Sequence, residues 1–387
     1  MNKSEDRGKK EDKINFARRR NCTLVITHSC NLNCVYCYET HKDDSSMPLE
    51  LAKEIITKEF EFVKNSPDFD EIEFDFMGGE PFVKFDLMKE IMNWTWSQNR
   101  DVPYIFFATT NGTLITDEIK RWLYCHRKYF VLGISYDGTD DSQDMNRTNS
   151  AGKVDIDFFL KTYPNQGVKM TISPASLKNL AEGVIRISEK GIKLSANCGY
   201  GQVWSEEDKD EFHRQLMILA DYYLAHPDIE PIPMFDRKFR FLNDKRDAKQ
   251  KWCGTGTHMI TYDVDGTTYP CHLFTPMVLG CQKAAELQNK MDFASGNVNT
   301  DPFCEDCSLL NICPTCYGFN YRDTGNIATR EKTMCELFRI QTSVLVYYVQ
   351  ELLRKKKEAN IPFDRGDRLD AEGLLFLKDH LPKIKES

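Results

Sequence analysis

The sequence lacks long hydrophobic runs. A transmembrane helix needs about 20 consecutive apolar residues, and no stretch of this chain approaches that length. The N-terminus, MNKSEDRGKKEDKINFARRR, is charged but is not followed by the apolar segment of a secretory signal. We therefore expect a soluble, cytoplasmic protein with no membrane partner.

The sequence also lacks an excess of positive charge. Its 51 Lys and Arg residues are outnumbered by 59 Asp and Glu residues, which gives a formal net charge of -8 at pH 7. Proteins that bind nucleic acid normally present a strongly basic face. The composition therefore argues against a nucleic-acid partner.

Cysteine, by contrast, is abundant, with 14 residues in a chain of 387. Disulfides are rare in a reducing compartment, so this count indicates metal-binding or catalytic thiolates. Three cysteines lie between residues 30 and 37, and seven others, not counting Cys281, are spaced from 253 to 335. The remaining four are expected to be small, buried hydrophobic residues: Cys22, Cys125, Cys198 and Cys281.

Residues 23–200 alternate β-rich runs with amphipathic helical stretches, such as the one at 177–187. This alternation is typical of β/α units with a parallel sheet. Six units are too few for a closed eight-unit barrel, so the sequence predicts an α/β fold with an open, partial (β/α)6 barrel. The predicted strands are 23–27, 71–76, 104–110, 129–135, 168–173 and 192–198.

Distinctive motifs follow the first four predicted strands. They are the first cysteine group, MGGEP (77–81), TNGT (110–113) and SYDG (135–138). In β/α barrels the loops at the carboxyl ends of the strands converge on one opening, where the chemistry is built. Gly78 and Gly79 are expected to let the backbone approach a ligand closely. The Glu80 carboxylate is expected to accept a hydrogen bond from a cation such as an α-ammonium group.

The first cysteine group, SCNLNCVYCYE, contains Cys30, Cys34 and Cys37, which we call the cysteine triad. A structural zinc site is closed by four ligands, and no Cys or His lies at the spacing required of a fourth ligand. A 4Fe-4S cluster normally takes four thiolates, so three would leave one iron open to another ligand. The spacing therefore favours a cluster with one open iron, and zinc is the alternative.

The cysteine triad with Tyr36 before its last member, followed by Gly78, Gly79, Glu80 and Pro81, resembles the radical S-adenosylmethionine (SAM) superfamily. The resemblance implies that SAM chelates the open iron, and that the reduced cluster cleaves SAM to a 5′-deoxyadenosyl radical. It also implies that the glycine-rich turn contacts the amino group of SAM, and that an electron donor of the flavodoxin or ferredoxin type is needed. Further residues that it implies for SAM binding are Asn111, Ser135, Asp137 and Arg147.

For Asn111 and Gly112 a simple turn is the alternative interpretation, because this residue pair favours tight turns.

The second cysteine group resembles the SPASM extension of radical SAM enzymes, a module that carries two auxiliary iron–sulfur clusters. The order of its seven cysteines matches, as does the position of Gly266 between Cys253 and Cys271. One departure is that Cys313 and Cys316 are separated by two residues where the family usually has three. Taken alone, the C-x2-C units could also form a zinc ribbon.

The ligation pattern of that family divides the seven cysteines between two clusters, so that the chain would hold three 4Fe-4S clusters in all. A closed cluster would be held by Cys304, Cys307, Cys313 and Cys335. The other would be held by Cys253, Cys271 and Cys316. Sulfatase-maturing members have a further cysteine shortly before the first of these, which this chain lacks. The second cluster is therefore expected to be open unless Cys281 completes it.

An open auxiliary iron implies that a thiolate of a substrate peptide could bind there. Thioether-forming maturases of the SPASM group, the ranthipeptide synthases, use this logic, and CPTCYGFNY (313–321) resembles those that act on cysteine-rich precursors. The expected product is a sulfur-to-carbon crosslink in a ribosomally made precursor peptide. The alternatives are an anaerobic sulfatase maturase that makes formylglycine, and a non-catalytic iron–sulfur or zinc-binding protein.

The expected domain organisation has four parts. They are a flexible N-terminus (1–20), the partial barrel (21–228), a bridge and SPASM domain (229–335) and C-terminal helices (336–387). An apolar stripe in the helix predicted at about 333–355 is expected to pack back on the barrel. An independent leader-binding domain needs about 50 residues, so leader recognition is expected to use the barrel, the bridge or a separate protein.

Overall fold

The computed structural model describes residues 18–236, 239–242, 253–287, 293, 301–305 and 307–380. The predicted flexible N-terminus at 1–20 therefore lies almost wholly outside the described residues. Part of the predicted bridge, 243–252, lies outside them as well.

Six parallel strands form the main part of one sheet, in the order β6-β5-β4-β3-β2-β1. All six strands predicted from the sequence are present, and the open sheet confirms the partial barrel. The strands are β1 (Arg19–Thr27), β2 (Glu71–Gly78), β3 (Tyr104–Thr110), β4 (Phe130–Ser135), β5 (Val168–Ile172) and β6 (Leu194–Cys198).

Helices connect these strands and cover the outside of the sheet. The predicted helical stretch at 177–187 begins as a 3-10 turn, Pro174–Asn179, and continues as an α-helix. Side-chain capping fixes where several of the helices begin. The Ser205 side chain, for example, forms a reciprocal capping box with Asp208. The helices are α1 (Leu49–Lys64), α2 (Phe85–Ser97), α3 (Asp117–His126), α4 (Asp140–Asn146), α5 (Ile156–Thr162), α6 (Leu180–Ser188) and α7 (Glu206–Ala225).

The alternation of side chains along β2 separates the core from the interior of the barrel. Ile72, Phe74 and Phe76 are buried in the hydrophobic core, and the Phe76 ring stacks on Phe106 of β3 with centroids 5.2 Å apart. Burying a phenylalanine of this kind stabilises the fold by about 1.5–3 kcal/mol. The intervening residues, including Asp75, point to the opposite face because side chains alternate along a strand. The interior of the barrel is therefore lined with polar groups.

The sheet extends beyond β1. Strand β7 (Met259–Tyr262) pairs parallel with β1, and β8 (Thr268–Tyr269) pairs antiparallel with β7. A buried network joins the parts, because Glu59 accepts from Arg20 Nε at 2.9 Å and from Tyr262 Oη at 2.7 Å. The sheet thus crosses the domain boundary expected at residue 228.

The remaining helices follow the second cysteine group or lie within it. Helix α11 packs along α7, where Tyr347 Oη donates to Asp221 at 2.8 Å and Lys355 Nζ donates to the Leu224 carbonyl at 2.9 Å. This packing is the one that the apolar stripe predicts. None of the helices in the described ranges has the length and apolar character needed to cross a membrane. These helices are α8 (Pro276–Leu279), α9 (Cys281–Leu287), α10 (Tyr317–Thr324), α11 (Lys332–Glu358) and α12 (Arg365–His380).

Candidate functional site

The cysteine triad lies in the loop after β1 and lines one large cavity of about 610 Å³, which we call the main cavity. Its volume is in the range of small-molecule sites. In the described part of the chain, no three His, Cys, Asp or Glu side chains are placed to hold a single metal ion.

Hydrogen-bond donors point at the sulfur atoms of the cysteine triad. The Leu32 amide donates to Cys30 Sγ at 3.4 Å, and Lys42 Nζ donates to Cys37 Sγ at 2.9 Å. Burial raises the pKa of the Cys30 thiol to about 11, so a compensating positive group is needed to hold thiolates there. Burial alone would lower the pKa of Lys42, but its bond to Cys37 raises it overall and keeps the ammonium charged. This donor set fits a 4Fe-4S cluster with three protein ligands.

The turn after β2 packs tightly against the loop that carries the cysteine triad. A Cβ on Gly79 would lie 2.6 Å from the Ser29 carbonyl oxygen and 2.8 Å from Cys30 Cβ. A Cβ on Gly78 would lie 2.2 Å from the Thr27 carbonyl oxygen. Both glycines line the main cavity. The atoms nearest an added Cβ belong to the cysteine loop for Gly79 and to the end of β1 for Gly78.

Glu80 joins the ends of β2 and β3. Its Oε1 accepts from Thr110 Oγ1 at 2.7 Å and from the Phe82 amide at 3.1 Å, and its Oε2 accepts from the Asn111 amide at 2.8 Å. Burial raises the pKa of Glu80 to about 7, although these hydrogen bonds oppose the shift. A carboxylate offers about four lone-pair positions, so about one remains for a cation in the main cavity.

The Asn111 side chain is used in the turn that the alternative interpretation describes. Its Oδ1 accepts from the Thr113 amide at 3.0 Å, and the following Gly112 has a φ of 78°. Its Nδ2 donates to Asn31 Oδ1 at 2.9 Å, which ties this turn to the cysteine loop. Asn111 nevertheless lines the main cavity, as do Pro81 and Ser135.

Asp137, which is predicted to bind SAM, is surrounded by hydrogen-bond donors of the protein. Its two oxygens accept from Tyr36 Oη at 2.6 Å, from Arg147 Nε and Nη2 at 3.2 Å, from Asn146 Nδ2 at 3.0 Å and from the Thr171 amide at 3.1 Å. These five bonds saturate the carboxylate. Tyr36 and Arg147 line the main cavity, whereas Asp137 does not. Asp137 therefore fixes the positions of the Tyr36 and Arg147 side chains from outside the cavity lining.

The four cysteines predicted for a closed cluster lie together around a second, small cavity of about 40 Å³, which Cys316 also lines. Arg330 Nη1 lies 3.3 Å from Cys313 Sγ and donates to the Pro314 carbonyl at 2.7 Å. Burial raises the pKa of the Cys313 thiol to about 12, and the Arg330 charge opposes this shift. A positive charge beside clustered thiols suits thiolate ligands of a cluster.

Cys253, Cys271 and Cys316 form the other set. Burial raises the pKa of Cys271 to about 12, and Cys316 and Cys253 are close enough to act on it electrostatically. Cys253 Sγ lies 3.0 Å from Thr255 Oγ1. Cys281 is exposed at the first residue of α9.

The four leftover cysteines only partly match their predicted burial. Cys22 is fully buried in the core, as expected. Cys125 and Cys281 are exposed, so the prediction is wrong for them. Cys198 is half-buried at the end of β6 and lines the main cavity. No cysteine in the chain forms a disulfide, and all lie in described ranges.

Comparison with known families agrees with this geometry. Residues 24–216, about half of the chain, match the radical SAM superfamily. These residues form a radical SAM domain. It begins in β1, includes the cysteine triad and reaches into α7.

Two curated relatives extend the similarity beyond the radical SAM domain. The chain is 23% identical over 371 residues to the radical SAM cyclopropyl synthase TigE of Paramaledivibacter caminithermalis, covering 86% of this chain and 75% of TigE. It is 26% identical over 276 residues to the antilisterial bacteriocin subtilosin biosynthesis protein AlbA of Bacillus subtilis, covering 67% of this chain and 56% of AlbA. The chain also spans 59% of an uncharacterized relative from Methanocaldococcus jannaschii.

Solved structures share the fold at low sequence identity. One is anSMEcpe with bound AdoMet and the Cp18Cys peptide, with a TM-score of 0.64 at 18% identity, covering 85% of this chain and 98% of that one. Another is Streptococcus suis SuiB bound to the precursor peptide SuiA, with a TM-score of 0.56 at 16% identity, covering 82% of this chain and 76% of SuiB.

A wall of aromatic rings lines the main cavity of the radical SAM domain and packs in one cluster with cysteines of the second cysteine group. The Tyr200 ring stacks on Phe319 with centroids 4.0 Å apart, and Phe319 meets Tyr38 edge-on at 5.5 Å. Tyr38 also lies 6.0 Å from the His272 ring, and burial lowers the pKa of His272 to about 4. Tyr200 lines both cavities. The wall therefore contacts both cysteine-lined spaces.

Several cavity residues were not predicted as site residues. Lys42 comes shortly after the cysteine triad, and the signal for it was a lysine close in sequence to thiolate ligands. Asp75 and Lys169 lie inside strands β2 and β5, and both line the main cavity. The signal for these two was a charged residue that alternates with apolar residues along a strand, on the face opposite the core.

Proposed function

We propose that this chain is a radical SAM peptide maturase that forms sulfur-to-carbon thioether crosslinks in a ribosomally made, cysteine-rich precursor peptide. One observation carries the proposal: the three-cysteine set Cys253, Cys271 and Cys316 packs in the same cluster as the aromatic wall that lines the main cavity. Three protein thiols leave one position of a 4Fe-4S cluster without a protein ligand. A cysteine of the substrate peptide has the chemistry to fill it.

The cofactors follow from the cysteine sets. The cysteine triad would hold the cluster that works with SAM, and the two sets of the second group would hold two further clusters. When bound, the triad's cluster and SAM supply a 5′-deoxyadenosyl radical, which removes a hydrogen atom from carbon. A flavodoxin or ferredoxin would supply the electron that this cleavage consumes.

In this proposal, residues of the chain hold the reacting carbon and sulfur atoms of the peptide in one geometry. Lys42 and Arg147 place positive charge beside the cysteine triad, while the rings of Tyr38 and Phe319 form an apolar wall that packs with the three-cysteine set. Bringing two reactants together in this way converts a bimolecular step into an effectively unimolecular one. This matters here because a free carbon radical has many competing fates.

The crosslink balances in atoms and electrons. One C–H bond and one S–H bond break, and one C–S bond forms. The hydrogen atom from carbon ends in 5′-deoxyadenosine, and the thiol releases a proton. One electron also leaves, which replaces the electron consumed when SAM was cleaved.

The comparisons support a peptide as the substrate. SuiB is bound to a precursor peptide, anSMEcpe is bound to a peptide, and AlbA takes part in the biosynthesis of a bacteriocin. A substrate of that class suits a large open cavity with both apolar and charged walls.

Mass spectrometry of the product tests this proposal. A cysteine-rich precursor peptide is incubated without oxygen with the reconstituted enzyme, SAM and a reductant. The expected product is lighter by two hydrogen atoms per crosslink and has lost one alkylatable thiol for each. Cys316→Ala should still cleave SAM but form no crosslink, whereas the control Cys125→Ala, at an exposed position of α3, should behave as the wild type.

Other outcomes would favour the alternatives. A product that carries an aldehyde in place of a thioether would indicate formylglycine formation. Crosslinking that survives Cys316→Ala would show that the three-cysteine set is not needed. Absence of SAM cleavage by fully reconstituted enzyme would indicate a non-catalytic protein.

A further inference from the structure

The main cavity contains a pair of charged side chains that radical formation does not require. Asp75 of β2 and Lys169 of β5 both line the cavity. Asp75 comes three residues before Gly78, so it lies about 10 Å deeper in the barrel than the turn that packs on the cysteine triad. The two side chains are close enough for each to shift the pKa of the other. We call this pair of side chains the charged floor of the main cavity.

The Lys169 ammonium is held in a fixed place. Its Nζ donates to Thr109 Oγ1 at 2.7 Å and lies 5.1 Å from the centre of the Phe107 ring. Its stem crosses β4 at Gly133, where a Cβ would lie only 3.4 Å from Lys169 Cε. One of the three ammonium N–H groups is used in this way, and two remain to donate into the cavity.

The Asp75 carboxylate can accept hydrogen bonds, which complements the Lys169 ammonium as a donor. Among the described residues, no donor makes a hydrogen bond to it, although it lies within reach of the Lys169 charge. The neighbouring Glu73 shares Arg19 with Glu71, since Arg19 Nη1 donates to Glu73 at 3.0 Å and Arg19 Nε to Glu71 at 2.7 Å, and Glu73 also acts electrostatically on Asp75 and Lys169. Burial raises the pKa of Asp75 to about 7, so above that pH the Asp75 carboxylate and the Lys169 ammonium have opposite charges, and the cavity floor combines an acceptor with a donor.

We propose that Asp75, Lys169 and Thr109 form a subsite for a neutral amide group of the substrate peptide. The amide carbonyl accepts from Lys169 Nζ, and the amide N–H donates to the Asp75 carboxylate. This proposal rests on the proposed function to the extent that the substrate is a peptide. It adds a residue-level anchor that fixes the depth at which the peptide lies below the cysteine triad.

The charge balance of the subsite decides which ligand class it favours. A free carboxylate is attracted by Lys169 but repelled by Asp75, and a free ammonium group meets the opposite conflict. An amide has one donor and one acceptor and no charge, so it matches both groups and is repelled by neither. The subsite therefore selects peptide bonds, or Asn and Gln side chains, over free amino acids.

A small probe tests the subsite without the natural substrate. The probe is N-acetylglycine N-methylamide, titrated into the SAM-loaded holoenzyme and followed by saturation-transfer difference NMR. Affinity of about millimolar strength is expected for a probe of this size. Lys169→Met and Asp75→Asn should each weaken binding by about tenfold or more, since each removes a hydrogen bond to a charged group. The matched control is Lys128→Met, at an exposed position after α3.

Two further measurements keep the result interpretable. Acetate and methylammonium, each carrying one of the two charges that an amide lacks, should bind the wild type more weakly than the amide probe. SAM affinity should be unchanged in both variants, which shows that the barrel is intact. If either variant fails to load SAM, Lys169→Arg and Thr109→Val replace it, with near-normal binding expected for the first and about fivefold weaker binding for the second.

The proposal is overturned if the variants bind the amide probe as the wild type does, or if no probe binding is seen. It is also overturned if acetate binds as tightly as the amide and loses affinity in Lys169→Met, because the site is then a carboxylate site. None of these measurements requires a crosslink to form. Failure of the amide subsite is therefore distinguishable from failure of the thioether function.

Discussion

Replacing Gly79 by alanine perturbs the contact between the turn after β2 and the cysteine loop. The added Cβ would lie 2.6 Å from the Ser29 carbonyl oxygen and 2.8 Å from both the His28 carbonyl oxygen and Cys30 Cβ. Two of these three neighbours are backbone atoms, so the loop itself must move. Overpacking of this kind typically costs about 1–3 kcal/mol. If the whole cost falls on the conformation that binds SAM, the affinity for SAM decreases about 5- to 150-fold.

Equilibrium dialysis of labelled SAM against anaerobically reconstituted protein measures this effect. Gly152→Ala is the matched control, because nothing lies within 4 Å of a Cβ added there. Iron content should also decrease in Gly79→Ala, since Cys30 adjoins the clash, and should remain normal in Gly152→Ala. SAM affinity and iron content equal to the wild type in Gly79→Ala would refute the reasoning that this glycine is required by the cysteine loop.

Three other predictions concern cluster content, stability and pH. Replacing all three residues of the cysteine triad by alanine should remove one third of the iron bound after anaerobic reconstitution, and it should abolish SAM cleavage. Zinc bound in place of iron would contradict the cluster assignment. Asp137→Asn breaks a buried ion pair, since the Asp137 and Arg147 side chains are 1% and 8% exposed. The substitution should lower the free energy of unfolding by about 3–5 kcal/mol, measured by urea titration. A change within experimental error would show that this ion pair does not hold the site. Burial raises the pKa of Asp75 to about 7, so the native state favours its protonated form, and stability is lost as the pH rises through that value. Relative to Asp75→Asn, the wild type should therefore lose about 1.4 kcal/mol of stability between about pH 6 and pH 8, measured by anaerobic unfolding; a pH-independent difference would contradict this.

The barrel strands could be predicted from the sequence because each is a short β-rich run, separated from the next by helical periodicity. The position of the site could be predicted for a related reason. Motifs after the first four strands must meet at one end of a parallel sheet, and the structure places Cys34, Glu80, Asn111 and Ser135 on one cavity. The sequence thus identifies which loops converge.

The direction in which each side chain points could not be predicted in the same way. Glu80 follows β2, Asp137 follows β4, and both carry a carboxylate. Glu80 lines the main cavity, whereas the Asp137 carboxylate lies outside its lining and is saturated with hydrogen bonds. The two outcomes depend on hydrogen bonds from residues distant in sequence. Asp75 and Lys169 were missed because they lie inside strands and come together only when the sheet curves.

The extension of the sheet was also not predicted. Strand β7 has four residues, Met259–Tyr262, and too short a run to show alternation. Its place beside β1 depends on tertiary contacts, such as the hydrogen bond from Tyr262 Oη to Glu59. A short strand that joins a sheet through such contacts leaves little local pattern in the sequence.

The central claim is that a substrate cysteine binds the iron held by Cys253, Cys271 and Cys316, and a spectroscopic titration tests it most directly. The enzyme, with the cysteine triad replaced by alanine so that only the auxiliary clusters remain, is reduced and followed by electron paramagnetic resonance. A cysteine-rich precursor peptide is added, and a matched peptide with every Cys replaced by Ser is added to a second sample. The account predicts a change in the auxiliary-cluster signal with the cysteine peptide only, and that Cys316→Ala in the same background abolishes the change. Identical spectra with the two peptides would contradict the claim.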